Sequence, residues 1–157
     1  MTNEMNYLKV VFISLFLNFS FALYGQQKHQ YIQDNKDLAN ELSQKYGIPS
    51  AIILGVAFVE TGGGTSKNAK NSNNHFGIVG KNKKYKSKYK SFSSKRESFE
   101  AFCKLLSRKK YYAELKGNGD YKLWVQAIAG AGYSTQPKEW MRRVNLIIDK
   151  FQLSKQS

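Results

Sequence analysis

The sequence has few of the residues that most often carry catalysis or hold a metal ion. Cys103 is its single cysteine, and His29 and His75 are its only histidines. One cysteine cannot form a disulfide within the chain, and this set does not supply an ordinary zinc site. A Ser-His-Asp or Cys-His triad would need His75, and nothing near it in sequence supports one. We therefore expect no cofactor and no metal, and we interpret Cys103 as a small buried hydrophobe on a helix face.

Acidic residues are also scarce, and they are unevenly placed. Eleven Asp and Glu are set against 25 Lys and Arg, which gives a formal net charge of +14. Glu60 ends the apolar run AIILGVAFVE, and no Asp or Glu occurs between Glu60 and Glu97. A strongly basic chain favours an anionic partner, which is either nucleic acid or an anionic cell-envelope polymer. The charge alone does not choose between the two.

Residues 1–25 are predicted to be a signal peptide. Lys9 precedes the apolar stretch Val10–Leu23, and Gly25 comes just before the chain turns polar. That stretch has 14 residues, whereas about 20 apolar residues are needed to span a bilayer. A cleaved leader is therefore favoured over an uncleaved anchor, and no stable membrane insertion is expected after cleavage. Residues 26–157 are then one domain of an exported protein, periplasmic or secreted.

The mature chain is predicted to be mainly α, with about five helices. The first covers Asp34–Tyr46, and the second begins with Ser50 as N-cap and runs through AIILGVAFVET. Because this run is apolar on every side, it is expected to be a buried helix. Residues 65–80 are predicted to be a polar loop, and residues 81–92 either a short two-stranded lobe or a solvated basic loop.

The three remaining helices lie in the second half of the chain. Ser94 and Glu97 have capping-box spacing, Asp120 is expected to cap the next helix, and Pro137 suits the first turn of the last one. Tyr111 and Tyr112 are expected to close the helix that starts at the capping box. The residues predicted to face the core are Phe99, Phe102, Cys103, Leu106, Leu123, Trp124, Ala127, Ile128, Trp140, Val144, Ile147, Ile148 and Phe151.

Glu60 is the candidate for acid chemistry. At the C-terminal end of a buried helix, both desolvation and the helix dipole favour the protonated carboxyl. A protonated acid near neutral pH can donate a proton to a leaving oxygen. The glycines Gly62–Gly64 would let the backbone approach a ligand closely. The alternatives are that Glu60 only solvates the helix end and that the glycines only stop the helix.

Four motifs, in order, resemble the bacterial endo-β-N-acetylglucosaminidases of glycoside hydrolase family 73. Residues 60–66 resemble the family's Glu-Ser-Gly-Trp-Gly-x-Ser segment, and residues 46–50 its Gly-Ile-Pro-x-Ser segment. Residues 73–78 match Asn-Asn-x-Phe-Gly-Ile, and residues 131–135 resemble Ala-Gly-Tyr-Ala-Thr. The resemblance covers roughly Asp37 to Leu153. It implies a lysozyme-like two-lobed fold and cleavage of the β-1,4 bond after N-acetylglucosamine in peptidoglycan.

The resemblance also implies roles for particular residues. Glu60 would be the general acid, and Tyr133 would act beside the reacting sugar across the groove. Asn74, Phe76 and Gly77 would bind substrate on the groove floor. The alternatives are that Tyr133 and Phe76 are packing residues and that Asn74 only bonds the loop backbone. The implied partners are peptidoglycan glycan strands, together with anionic envelope polymers, while export and these motifs disfavour nucleic acid.

The sequence departs from the family in two places. Gly63 replaces the family's Trp, so a hydrophobic support near the acid is missing. Many relatives carry a second acid in the small lobe, which is lysine-rich here, and Glu97 is better explained by its capping box. One carboxylate leaves three possibilities: attack by the substrate's own acetamido group, which we favour, attack by water with remote base help, or glycan binding without cleavage. A lytic transglycosylase and a non-catalytic peptidoglycan-binding module remain alternative functions.

Overall fold

The computed structural model describes residue 26 and residues 29–80 and 87–155. The predicted signal peptide lies outside the described residues, and so do residues 81–86, the first half of the lysine-rich segment 81–92. A first helix, α1, covers residues 29–46. The others are α2 (Ser50–Thr61), α3 (Lys67–Ser72), α4 (Lys95–Ser107), α5 (Tyr112–Leu115), α6 (Tyr121–Gly130) and α7 (Pro137–Lys150), followed by a 3₁₀ turn at Leu153–Lys155.

The prediction of a mainly helical fold is confirmed. The helices α2, α4, α6 and α7 surround one hydrophobic core, and the 3₁₀ turn packs against α2 and α7. Within the described ranges, no helix has the length and apolar character needed to cross a membrane. Among the described residues, the lysine-rich lobe contributes one isolated antiparallel bridge between Val79 and Tyr89, flanked by two backbone hydrogen bonds of 2.8 and 2.9 Å. The bridge joins the two ends of the lobe at its base, and no strand is formed within the described residues.

The helix α2 is the buried centre of the molecule, as its composition predicts. Every residue of α2 except Glu60 is buried. Gly55, midway along α2, faces α7, and a Cβ atom there would lie 2.8 Å from Cγ1 of Ile148. Because glycine has no side chain, α7 can approach α2 closely at this point. The close packing of these two helices decides what Glu60 meets at the end of α2.

The boundaries of the predicted helices are partly wrong. Pro49, not Ser50, is the N-cap of α2, and Ser50 is its buried first residue. The carbonyl of Pro49 accepts hydrogen bonds from the N–H groups of Ile52 and Ile53. Proline is suited to this position because it has a fixed φ and no N–H that would need a partner. The helix α3 falls inside the predicted loop 65–80, with the Ser66 hydroxyl accepting from Ala69 N–H.

The predictions for the second half of the chain are mostly confirmed. Ser94 and Asp120 cap α4 and α6 through their side chains, and Pro137 occupies the first turn of α7. The helix α4 ends at Ser107, so the two tyrosines do not close it, and Tyr112 begins α5 instead. Leu123 is 41% exposed, contrary to the prediction. At 100° per residue, it lies on the opposite side of α6 from Tyr121, Trp124, Val125 and Ile128, which fill the core.

Candidate active site

Glu60 lies in the last turn of α2 with its side chain half-buried. Trp140 on α7 donates its indole N–H to Oε1 of Glu60 over 2.9 Å. Burial raises the pKa of the Glu60 carboxyl, while the Trp140 hydrogen bond and the positive charge of Arg143 act in the opposite direction. Burial is the largest of these effects and the pKa is raised overall. The carboxyl is thus more readily protonated than an exposed glutamate.

The three glycines after α2 all have left-handed backbone angles, with φ of 60°, 74° and 84°. Gly62 is the C-cap of α2, so the glycines do stop the helix. Thr61 supports the turn, because its hydroxyl donates to Ala57 O and accepts from Gly64 N–H. Tyr31 of α1 packs over Gly64, where a Cβ atom would lie 2.5 Å from the ring. Side chains are therefore excluded here by both backbone conformation and space.

Asn74 organises the loop that approaches Glu60. Its amide Nδ2 donates to Ile78 O at 2.9 Å and to Lys90 O at 2.8 Å, and its Oδ1 accepts from the Ile78 N–H. The side chain is buried, 1% exposed, and lies behind the groove rather than in its lining. Asn74 therefore ties the loop to the backbone at Lys90, beside the Val79–Tyr89 bridge, and its bonds are those of the alternative in which it only bonds backbone.

Phe76 and Gly77, the next two residues of the loop, both reach the groove. Phe76 is 2% exposed and stacks on Phe102 with a centroid separation of 4.2 Å, so it is mainly a core residue. Gly77 has φ of 63°, and a Cβ atom there would lie 3.3 Å from Oε2 of Glu60. Glycine at position 77 thus leaves one carboxyl oxygen of Glu60 accessible from the groove.

Tyr133 is brought beside Glu60 by the turn between α6 and α7. Its hydroxyl donates to Phe76 O at 2.8 Å, and its ring lies 5.3 Å from Trp140. Burial and, to a smaller degree, the charge of Glu60 raise the pKa of Tyr133 well above its ordinary value. The phenol is therefore protonated and remains a donor to the loop that carries Gly77.

The groove in front of these residues has a volume of about 600 Å³. Glu60 is the single carboxylate among the described residues that line it, and Lys88 and Lys109 are its cations. Residues 81–86 of the lobe, which the structure does not describe, contain no acid in the sequence either. Glu97 is exposed and accepts hydrogen bonds from Ser93, in keeping with its interpretation as a capping residue.

His75 and Cys103 are packing residues of the core. His75 is 7% exposed, with Nδ1 2.8 Å from the Tyr31 hydroxyl and its ring between Tyr31 and Phe99. Burial, and then the charge of Lys95, lowers the pKa of His75 to about 4. Cys103 is fully buried as predicted, and burial raises its pKa to about 12. In residues 29–80 and 87–155, no cluster of three His, Cys, Asp or Glu could hold a metal ion.

Trp140 is the site residue that sequence reasoning missed. The helical pattern of α7 predicts only that Trp140 faces the core, and it does so, 5% exposed. Its contact with Glu60 joins residues 80 positions apart, which no local pattern reveals. The indole of Trp140, on α7, therefore contacts Glu60. The position that is Trp in the family's motif is Gly63 here, so the two indoles come from different parts of the chain.

The fold and the site together define a glycoside hydrolase of the lysozyme-like type. The sequence model of the family described as mannosyl-glycoprotein endo-beta-N-acetylglucosaminidase matches residues 36–153. The chain therefore belongs to this glucosaminidase family.

Named relatives and solved structures agree with this membership. The chain is 26% identical over 149 residues to the exo-glucosaminidase LytG of Bacillus subtilis, covering 81% of this chain and 52% of LytG. It is 29% identical over 128 residues to the peptidoglycan hydrolase FlgJ of Escherichia coli K12, covering 67% of this chain and 41% of FlgJ. The chain thus spans about half the length of these curated relatives.

Two solved structures have the same fold. The catalytic domain of the autolysin Auto from Listeria monocytogenes superimposes with a TM-score of 0.71 at 22% identity, covering 83% of this chain and 88% of that one. The truncated glycoside hydrolase domain of Salmonella typhimurium FlgJ gives a TM-score of 0.65 at 23% identity, covering 80% and 97%. At these identities the likeness shows the fold.

Proposed function

We propose that this protein is an exported peptidoglycan hydrolase that cleaves the β-1,4 bond after N-acetylglucosamine, with Glu60 as general acid. The observation that carries the proposal is the half-buried carboxyl of Glu60, the one carboxyl among the described residues that line the groove, with a raised pKa. Family membership and the name of the exo-glucosaminidase LytG support the reaction, and the name of the peptidoglycan hydrolase FlgJ supports the substrate. The N-terminal leader pattern supports export.

The Trp140 hydrogen bond favours one oxygen of Glu60 as the site of the proton. The indole N–H of Trp140 can only donate, so Oε1 accepts from it and is suited to be the carbonyl oxygen of the neutral acid. In the proposed reaction the proton is carried by Oε2, the oxygen that faces the space left by Gly77. Glu60 would donate this proton to the glycosidic oxygen as the C1–O bond breaks.

A single carboxylate suits a substrate-assisted mechanism. The acetamido carbonyl oxygen of the N-acetylglucosamine forms a bond to C1 while the leaving sugar departs as an alcohol with the proton from Glu60. The resulting oxazolinium ion is then opened by water, which bonds to C1 as the bond from C1 to the acetamido oxygen breaks and gives its proton to the Glu60 carboxylate. The acetamido group and the neutral acid are both restored, with net retention at C1.

Tyr133 would orient the acetamido group in this reaction. Its hydroxyl hydrogen is engaged with Phe76 O, so the oxygen's lone pairs are left to accept from the acetamido N–H. Fixing that N–H would direct the carbonyl oxygen towards C1. Phe76 and Gly77 would form the groove floor, and Asn74 would act on substrate through the loop that it holds.

Digestion of purified peptidoglycan, followed by mass spectrometry of the new ends, tests the proposal. We expect reducing N-acetylglucosamine ends from the wild-type protein and none from E60Q. E114Q is the matched control, because Glu114 is exposed on α5, outside the groove lining, and it should cleave normally. Anhydro-muramic ends would replace the proposal with a lytic transglycosylase, and binding without new ends would indicate a glycan-binding module. Full activity of E60Q would remove Glu60 from its role.

A thiazoline that mimics the product of acetamido attack tests the mechanism separately. The substrate-assisted reaction predicts competitive inhibition by this compound. Cleavage that is insensitive to it would favour direct attack by water and leave the identity of the acid unchanged.

A further inference from the structure

The groove walls away from Glu60 carry two cations. Lys88 stands at the base of the lobe and Lys109 follows the C-terminal end of α4, and both line the groove. Among the described residues, neither lysine forms an ion pair. Between Thr61 and Arg96 the sequence has no acid that could neutralise the lobe. The positive charge of these walls is therefore left for a ligand.

Both lysines project from backbone that is held in place. Lys88 O accepts from Gly80 N–H at 2.9 Å, next to the Val79–Tyr89 bridge, and the Lys88 ammonium lies over the Tyr89 ring, 5.4 Å from its centroid. Lys109 lies in the turn after α4, where its N–H and C=O each make a 3.0 Å backbone hydrogen bond. Both lysine side chains thus start from fixed points on the groove wall.

These lysines are suited to act on the ligand rather than on the acid. The cation that lowers the pKa of Glu60 is Arg143 on α7, outside the groove lining. A residue that binds substrate without contacting the reacting atoms changes KM more than kcat. The groove also holds one carboxyl that is readily protonated, so its lining as a whole is cationic.

We propose that Lys88 and Lys109 bind carboxylates carried by the glycan substrate itself, those of the peptide stems on the sugars that flank the cleaved bond. This inference rests on the proposed function. It assigns the substrate class as anionic, peptide-substituted glycan, and it makes an uncharged N-acetylglucosamine polymer a poor ligand. Contacts of this kind are exposed ion pairs, so added salt weakens them.

The test compares K88Q/K109Q with wild type on two substrates: peptidoglycan freed of teichoic acid, and the same material with its carboxyl groups capped as methylamides. An exposed ion pair is equivalent to roughly a 1.5- to 5-fold change in affinity. We therefore expect the double variant to raise KM about 2- to 25-fold on native peptidoglycan, with kcat little changed and thermal unfolding unaltered. The matched control is K122Q, which removes an exposed lysine of α6 and should behave as wild type.

Capping should raise the wild-type KM by a similar factor and should remove the difference between wild type and K88Q/K109Q. Equal KM values on native peptidoglycan would overturn the inference, and so would a difference that persists on the capped material. An effect seen only when teichoic acid is left on the wall would assign the lysines to phosphate polymers instead, and would also overturn it.

A binding measurement separates this inference from the proposed function. Sedimentation of E60Q and of E60Q/K88Q/K109Q with peptidoglycan needs no cleavage. If wild type produced no new ends, the proposed function would fail, yet weaker binding of the triple variant would still support the lysine site. Equal binding of the two would overturn it whatever the outcome for cleavage.

Discussion

Replacing Trp140 with Phe is expected to move the pH profile of cleavage to higher pH. The indole N–H bonds Oε1 of Glu60, and a hydrogen bond of this kind favours the charged carboxylate over the neutral acid. Removing the donor leaves burial as the dominant effect, so the pKa of Glu60 rises further. A general acid works only while protonated, and activity is therefore lost as pH rises through its pKa. A higher pKa extends activity into more alkaline solution.

The size of the shift can be worked out from the bond that is lost. A hydrogen bond to a charged group contributes about 1.5–3 kcal/mol, and one between neutral groups about 0.5–1.5 kcal/mol. The two protonation states of Glu60 thus differ in their gain from Trp140 by about 1–1.5 kcal/mol. At about 1.36 kcal/mol per pKa unit, the alkaline limb should move up by about one pH unit.

The assay is kcat/KM against pH on soluble glycan fragments, with thermal unfolding measured in parallel. W124F is the matched control, because Trp124 is also buried and its indole donates to Asn118 O, away from the groove. W124F should lower stability and leave the limb in place. A W140F limb that stays fixed, or moves to lower pH, would refute the reasoning that links this indole to the acid.

Two further predictions concern the loop beside Glu60. G77A should lower kcat and stability, because a non-glycine residue at φ of 63° costs roughly 1–2 kcal/mol and its Cβ would crowd Glu60. The control is G117A, at φ of 81° with open space around it, which should lose a comparable amount of stability and keep full activity. Equal activity of the two variants would contradict this prediction. The pKa of His75 falls from 6.5 to about 4 on folding, so the free energy of unfolding should decrease by at most roughly 3 kcal/mol as pH falls from 6.5 to 4. Urea unfolding of H75Q across that range should show a smaller dependence on pH, and an unchanged dependence would count against His75 as its source.

The parts of the fold that the sequence predicts well are those with local physical signals. The all-apolar run before Glu60 predicts a buried helix because no face of it can be left in water. Ser94, Asp120 and Pro137 mark helix starts because their side chains or fixed backbone satisfy the first turn. The prediction for Leu123 is wrong because its position on α6 points away from the core, and Val125 lies on the inner face instead.

The candidate site was only partly predictable, because its residues come from distant segments. Glu60, Phe76, Gly77 and Tyr133 belong to motifs and do converge on one groove. Trp140 belongs to no motif, and its contact with Glu60 depends on how α7 packs on α2. Asn74 is a motif residue whose contacts are with the backbone, so a match of sequence did not distinguish a ligand-facing side chain from one that shapes the loop.

The burial of α2 has a consequence for how this protein can lose or change its activity. Backbone amides in the most buried helix exchange with solvent only when the whole domain opens. Because Glu60 is attached to that helix, heating should not produce a folded but inactive intermediate, and inactivation should follow global unfolding. Among the described residues, the wall segments that hold Lys88 and Lys109 are a bridge and a turn instead. Substrate preference can thus be redesigned by substitutions in surface segments, while Glu60 stays on the helix that tolerates substitution least.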